Sequence, residues 1–313
     1  MNTANTIAKY VTHQRCLGKR FMKESAILAA FSKSIGDLPL CDIRSDMVRS
    51  FLDRGGTSNE TIRKKHRTLS GFFRFAVIRN LLRASPMPRC TGKHGSSSYA
   101  TYIYTEAELK RLLEAVPAAT GIRSDIDADT LRTFVLLLYG AGLRRGEAMR
   151  LKVGDVDAPQ SLLHIRGTKF FKTRIVPLST SLAPVLRTFL AKRSGRHPID
   201  ADSGLFCKRD GEPLSNSVIS SAFRRLRAAA GVRRDGGARN QPRLHDLRHS
   251  AAVHRVTAWY RCGADLNDLL PKLATYLGHK DLSGTQRYLT MTQELLTEAS
   301  LRFEAFARGG HHD

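Results

Sequence analysis

His245-Asp246-Leu247-Arg248-His249 places an imidazole and a guanidinium three residues apart. One helical turn brings such a pair to the same side. The guanidinium is a planar fork of donors that matches phosphate oxygens, and histidine takes up or gives a proton near neutral pH. The segment therefore reads as a helix start that holds a phosphate and moves a proton beside it. A helix start with a capping histidine and a solvated arginine fits the same five residues. His249, one residue round from Arg248, reads as a packing residue. What the rest of the chain supplies decides between these readings.

Three further elements supply it. In Gly142-Leu143-Arg144-Arg145-Gly146-Glu147 an arginine follows a glycine turn and opens a helix, so it either points into a cleft or lies exposed at a helix start. Leu162 to Ile165 and Arg174 to Leu178 flank a turn containing Thr168, Lys169 and Phe170, which predicts a β-hairpin. Lys169 at its tip is a compact charge whose pKa moves readily; Lys172 and Arg174 are nearby alternatives, and a surface lysine on a turn is the plain reading. In Leu277-Gly278-His279 the glycine ends or bends a helix, and His279 can donate to a phosphate oxygen. Tyr288 follows in Thr285-Gln286-Arg287-Tyr288. A phenol with a pKa of about 10 needs cations or a base beside it to attack at neutral pH, and burial in the core is the other reading for any one tyrosine.

The charge points to a polyanion. The 313 residues carry 51 Lys and Arg against 28 Asp and Glu, a net of +23. Residues 1–100 hold 18 basic and 6 acidic side chains and the remainder 33 and 22, so both parts are basic. Nucleic acid is the commonest such partner. The five cysteines are odd in number and scattered without a C-x-x-C pair, so neither a disulfide framework nor a zinc site is suggested. No apolar run is long enough to span a membrane, and Met1 to Tyr10 lack the apolar core of a signal peptide. A reducing, cytoplasmic setting is expected.

Residues 1–85 read as a helical domain. Ala26, Ile27, Ala30 and Phe31, and again Met47, Val48, Phe51 and Leu52, recur at helical spacing. Gly55-Gly56 ends the second segment, and Thr57 or Ser58 caps a longer helix with Ile62, Leu69, Phe72, Phe73, Ala76 and Val77 inward. Its other face carries Arg63, Lys64, Lys65, Arg67 and Arg74, and this basic face, with Arg63, Lys64, Lys65 and Arg67 foremost, is read as phosphate contact because the whole domain is basic. Proline, glycine and serine crowd residues 86–103, a linker composition. Thr105-Glu106-Ala107-Glu108 is a capping box that opens the domain of residues 104–313. A buried helix from Leu131 to Tyr139, a helix capped by Ser215, and helical sequence to about Ala307 follow.

In this order (Arg144, Lys169 on a hairpin, His245 and Arg248, His279, then Tyr288 nine residues later) the elements resemble the tyrosine recombinase, or phage integrase, family, including its Xer-like members. The resemblance covers nearly the whole chain. It implies a mainly α fold with a small antiparallel β-sheet: a helical core-binding domain and an α+β catalytic domain. It implies that Arg144 and Arg248 clamp the scissile phosphate, that Lys169 protonates the leaving 5′-oxygen, and that His245 serves as general acid and base. His279 would donate to a non-bridging oxygen, Glu147 would support the site from behind, and Tyr288 would attack to give a 3′-phosphotyrosyl bond. No metal, ATP or other cofactor is implied. The implied partners are double-stranded DNA with inverted half-sites and either a tetramer of this chain or partner recombinases. Integration and excision of a mobile element is the expected setting. Type IB topoisomerase-like relaxation and a catalytically quiet DNA-binding accessory protein are the competing functions. Two features depart from the family pattern: an extended interval around Trp259 to Leu270, expected as extra helix or loop, and Phe170-Phe171 in the hairpin turn, which leaves Lys172 as the fallback lysine. The segment from Glu294 through Phe306 is expected to form an amphipathic helix that packs on its own core or on a neighbouring protomer.

Overall fold

The computed structural model describes residues 2–54, 59–88, 101–122, 124–167, 173–197 and 199–279, together with 297, 300 and 304. Lys169, Lys172, Tyr288, the Gly55–Ser58 turn and nearly all of the C-terminal segment lie outside the described residues. The chain divides into two compact units, Met1–Ser98 and Tyr99–Asp313.

The first unit is helical, with α1 (Thr3–Cys16), α2 (Met22–Ile35), α3 (Ser45–Asp53) and α4 (Asn59–Ile78). The Asn2 side chain caps α1 by accepting from Ala4 N–H. The apolar stripes meet in one core of Leu28, Phe31, Val48, Phe51, Leu69, Phe72, Phe73 and Ala76, with Tyr10 of α1 against the rings of Phe72 and Phe75. Arg63, Lys64, Lys65 and Arg67 of α4 have different surroundings. Arg63 and Arg67 are exposed at helical spacing, Lys64 pairs with Glu24 at 3.4 Å, and the Lys65 ammonium turns inward to the Phe51 carbonyl and ring. Met87, at the start of the expected linker, packs on this core.

The second unit holds α5 (Glu106–Glu114), α6 (Val116–Ala119), α7 (Ala128–Gly140), α8 (Arg145–Ala148), α9 (Leu182–Arg196), α10 (Asn216–Ala229), α11 (Leu244–Arg261) and α12 (Leu266–Leu277). Thr105 and Glu108 form the expected capping box of α5, and Ser215 caps α10. α7 is the central element, with α11, α9, α10 and α6 packed around it. Its Leu131, Phe134, Leu137 and Leu138 are buried, each contributing roughly 2 kcal/mol relative to exposure.

Between α8 and α9 lies an antiparallel sheet of β1 (Val156–Asp157), β2 (Leu162–Ile165) and β3 (Arg174–Pro177), in that order. The register pairs Leu163 with Val176 and Ile165 with Arg174. Leu163, Ile165 and Val176 face the core, and β3 lies beside α12. Helices with this small sheet give the expected fold class. The extended interval becomes the corner between α11 and α12, a turn after Arg261 and an Asp265-capped helix start, with Trp259, Tyr260, Leu266 and Leu270 packed on Val253, Val256 and Leu273. Tyr102 and Ile103, at the end of the expected linker, pack on the second unit.

Candidate active site

The site is assembled where α7 ends, α8 and α11 begin, and α12 stops. After α7 the chain turns at Gly142, whose φ of +60° is left-handed. Leu143 is then buried, and Arg144 is the residue that caps α8. Glu147, three residues on, accepts from the Arg144 backbone N–H at 2.9 Å and from its Nη1 at 2.7 Å. A carboxylate at this position of the first turn satisfies an otherwise unpaired helix N–H. Asp246 repeats the device at α11, accepting from the Arg243 N–H at 2.8 Å. It thereby fixes the start of the helix that carries His245 and Arg248.

α12 ends at Gly278, whose φ is +69°, and the His279 N–H returns to the Ala274 carbonyl at 2.9 Å. Three guanidinium groups take the last carbonyls of this helix. Arg174 Nε donates to Tyr276 O at 3.0 Å, Arg248 Nη2 to Leu277 O at 2.7 Å, and Arg144 Nη2 to Gly278 O at 2.8 Å. Cations belong at this end of a helix, where the dipole is negative. Arg248 also gives Nη1 to Gly142 O at 2.6 Å.

Glu147 sits among these cations and is 5% exposed. Arg174 meets it as a fork, Nη1 to Oε1 at 3.0 Å and Nη2 to Oε2 at 2.9 Å, and Arg248 Nη1 is 3.9 Å away. Burial alone would raise its pKa. The hydrogen bonds and charge of Arg174, with the bonds from Arg144, outweigh this and hold it down to about 2. Three guanidinium groups around one carboxylate leave the cluster with a surplus of positive charge.

The three arginines differ in access. Arg248 is 1% exposed, whereas the side chain of Arg144 is 36% exposed. Arg144 and His245 line an open groove of about 1010 Å³ with Arg145, Arg224, Arg233 and Arg243. The imidazole of His245 stands edge-on to that of His249, with 4.6 Å between ring centroids. His245 is exposed on the groove, yet surrounding protein partly desolvates its ring. That desolvation, then the charges of Arg248, Arg144 and Arg145, lower its pKa. At neutral pH it is an imidazole able to accept a proton.

Of the residues singled out in the sequence, the structure brings together Arg144, Glu147, His245 and Arg248, and places the half-buried His279 one residue beyond the Gly278 carbonyl that Arg144 holds. Lys169 and Tyr288 are outside the described residues. Two features were missed. Arg174, weighed only as a substitute for the lysine, is part of the cluster. The signal was strand alternation: Val176 is buried and Arg174, two residues earlier, shares its face. The second is a seam of Tyr104 and Ser250. Tyr104 N–H donates to Ser250 Oγ at 2.8 Å, Ser250 Oγ to Asp246 O at 2.9 Å, and Tyr104 Oη to Arg243 O at 3.2 Å, which stitches the segment before α5 to the start of α11. Among the described residues no group of three or more His, Cys, Asp or Glu side chains could hold a metal ion, and no helix is long and apolar enough to cross a membrane.

Chemically, the arrangement can bind an anion at Arg144, stabilise charge on it, and exchange a proton at His245. Comparison with known proteins places residues 103–294 within the pattern of the family described as Phage integrase family. The y4rE protein of Sinorhizobium fredii, of the integrase/recombinase class, is 33% identical over 97% of this chain and 96% of its own length. The tyrosine recombinase XerA of Thermococcus kodakarensis is 32% identical over 79% of this chain and 77% of its own. Among solved structures, the Tn1549 transposon integrase in complex with transposon right end DNA shares the fold with a TM-score of 0.69 at 18% identity, over 98% of this chain and 100% of that one.

Proposed function

Because this chain belongs to the phage integrase family and is a tyrosine-type recombinase of DNA, we propose that its own residues divide the cleavage chemistry as follows. Arg144, exposed on the basic groove, receives the scissile phosphate. Arg248 joins it by exchanging one of its carbonyl partners, Gly142 or Leu277, for a phosphate oxygen. His279 donates to a non-bridging oxygen. The Tyr288 hydroxyl attacks phosphorus and its proton passes to His245, whose depressed pKa leaves it ready to accept. The bond from phosphorus to the 5′-oxygen breaks, Lys169 protonates that oxygen, and a 3′-phosphotyrosyl bond remains. Rejoining reverses these steps, so the covalent bond conserves the energy of the broken one and ATP is not required. The donors spread charge over the pentavalent phosphorus in the place of metal ions.

One observation carries this reading. Arg144, Glu147, His245 and Arg248, drawn from 105 residues of sequence, meet at one positively charged centre that opens on an arginine-lined groove. The helical first unit, with Arg63 and Arg67 exposed on α4, is the second DNA-contacting body, and the substrate is double-stranded DNA with inverted half-sites bound by a tetramer of this chain. The λ integrase dimer on a core site has the same fold, which supports a DNA-bound oligomer. The biological role is integration and excision of a mobile element, supported by the chain-long likeness to an integrase/recombinase-class protein.

The test uses the DNA flanking the chain's own coding sequence as probe. Covalent adducts, captured and sequenced, map to element ends if the proposed role holds and to a single chromosomal site if it does not. On the same probe Lys169→Ala is expected to abolish release of the 5′-hydroxyl strand while Lys172→Ala cleaves. The reverse result moves the general acid to Lys172.

A further inference from the structure

Arg174 stands apart from the residues that touch substrate in this scheme, yet all three of its guanidinium nitrogens are bonded within the centre. Its fork closes on both oxygens of Glu147 and its Nε on the Tyr276 carbonyl. Its side chain is 12% exposed. A Cβ on Gly278 would stand 2.8 Å from Arg174 Nη1, so the backbone of the α12 terminus lies against the guanidinium. Arg174 opens β3, opposite Ile165 of β2 and two residues after Lys172 in the sequence. It thus joins three things in space: the start of β3, the buried carboxylate, and the helix end next to His279.

The charge arrangement says what this does. Glu147 lies 2.7 Å from Arg144, the most exposed arginine of the centre. A carboxylate with no other cation to satisfy would neutralise Arg144 and weaken its pull on a phosphate. The bidentate fork of Arg174 occupies both oxygens from the other side. Arg144 is left with a geometric restraint from Glu147 but without the whole of the opposing charge.

We propose that Arg174 is a positioning residue for phosphoryl transfer: it takes up the charge of Glu147, so that Arg144 keeps its charge for the phosphate, and it ties the start of β3 to the end of α12. This rests on the reading of Arg144 as the phosphate-binding residue.

The experiment is a double-mutant cycle in the full chain, read as the rate of covalent adduct formation at saturating flanking DNA. Arg174→Gln is expected to slow the rate by up to about 100-fold, with DNA affinity nearly unchanged. Arg174→Lys, which keeps the charge and loses the fork, recovers part of the rate. On a Glu147→Gln background Arg174→Gln is expected to cost little further, because the charge it offsets has gone. Independent costs that multiply, or an Arg174→Gln rate equal to wild type, would overturn the proposal. A second measurement covers the case in which the flanking DNA yields no adduct even with wild type, a result that counts against the preceding reading alone. The carboxyl carbon of Glu147, followed by NMR, should stay ionised through the folded range in wild type and titrate within it in Arg174→Lys and Arg174→Gln. An unchanged titration in both variants would overturn the assignment of Arg174 as its charge partner.

Discussion

At His245 the direction of the pKa shift sets the shape of the pH profile. Desolvation and then Arg248, Arg144 and Arg145 favour the neutral ring, so the folded pKa lies below the ordinary 6.5. The ring must be neutral to accept the tyrosine proton, so cleavage should hold steady from neutral pH downward and fall only below about 6.5. His245→Gln should remove that limb and lower the plateau; a limb that persists in this variant would assign the proton to another group. Glu147 shifts the same way for the opposite charge. Its folded value of about 2 against an ordinary 4.5 means that its contribution to stability is complete above pH 4.5 and is lost as pH falls towards 2. The contribution is on the order of 3 kcal/mol. The stability gap between wild type and Glu147→Gln, measured by urea unfolding, should therefore narrow steadily across that window. A constant gap would mean the carboxylate is not held by its arginines. Arg144→Ala should lower the cleavage rate by roughly 100- to 1000-fold, the scale for a lost donor to developing charge.

The caps and turns that present these residues are the elements most sensitive to single changes. Gly278 holds a left-handed φ of +69° and gives its carbonyl to Arg144. Gly278→Ala should cost about 1–2 kcal/mol for the backbone conformation alone. It should also slow cleavage, since the new Cβ meets Arg174; wild-type stability in thermal unfolding would contradict this. Much at this scale was legible in the sequence, because local chemistry dictates it. Thr105 and Glu108, Ser215, the two hairpin strands and the glycine after Leu277 each announce themselves within a few residues. The fork from Arg174 to Glu147 spans 27 residues and its bond to Tyr276 spans 102, so no local pattern carried it. Nor could helical spacing separate Arg63 and Arg67, which reach solvent, from Lys64 and Lys65, which are held by Glu24 and Phe51. That division depends on what α2 and α3 present to α4.

The whole molecule carries +23 in two units that are both basic. Counterion release then governs affinity. If six to ten phosphates are neutralised, binding should weaken roughly 10³- to 10⁵-fold between about 50 and 200 mM salt. A flat response would count against phosphate-dominated binding. Arg224→Ala, in the groove outside the centre, should reduce the salt slope by about one phosphate without changing the rate at saturating DNA. The proposed cleavage turns on its nucleophile, which peptide mapping of the covalent adduct on flanking DNA identifies when wild type and Tyr288→Phe are compared side by side. An adduct is expected on the peptide containing Tyr288 in wild type, and none in Tyr288→Phe, which still binds the DNA. An adduct on any other peptide, or as much adduct in Tyr288→Phe as in wild type, would contradict it.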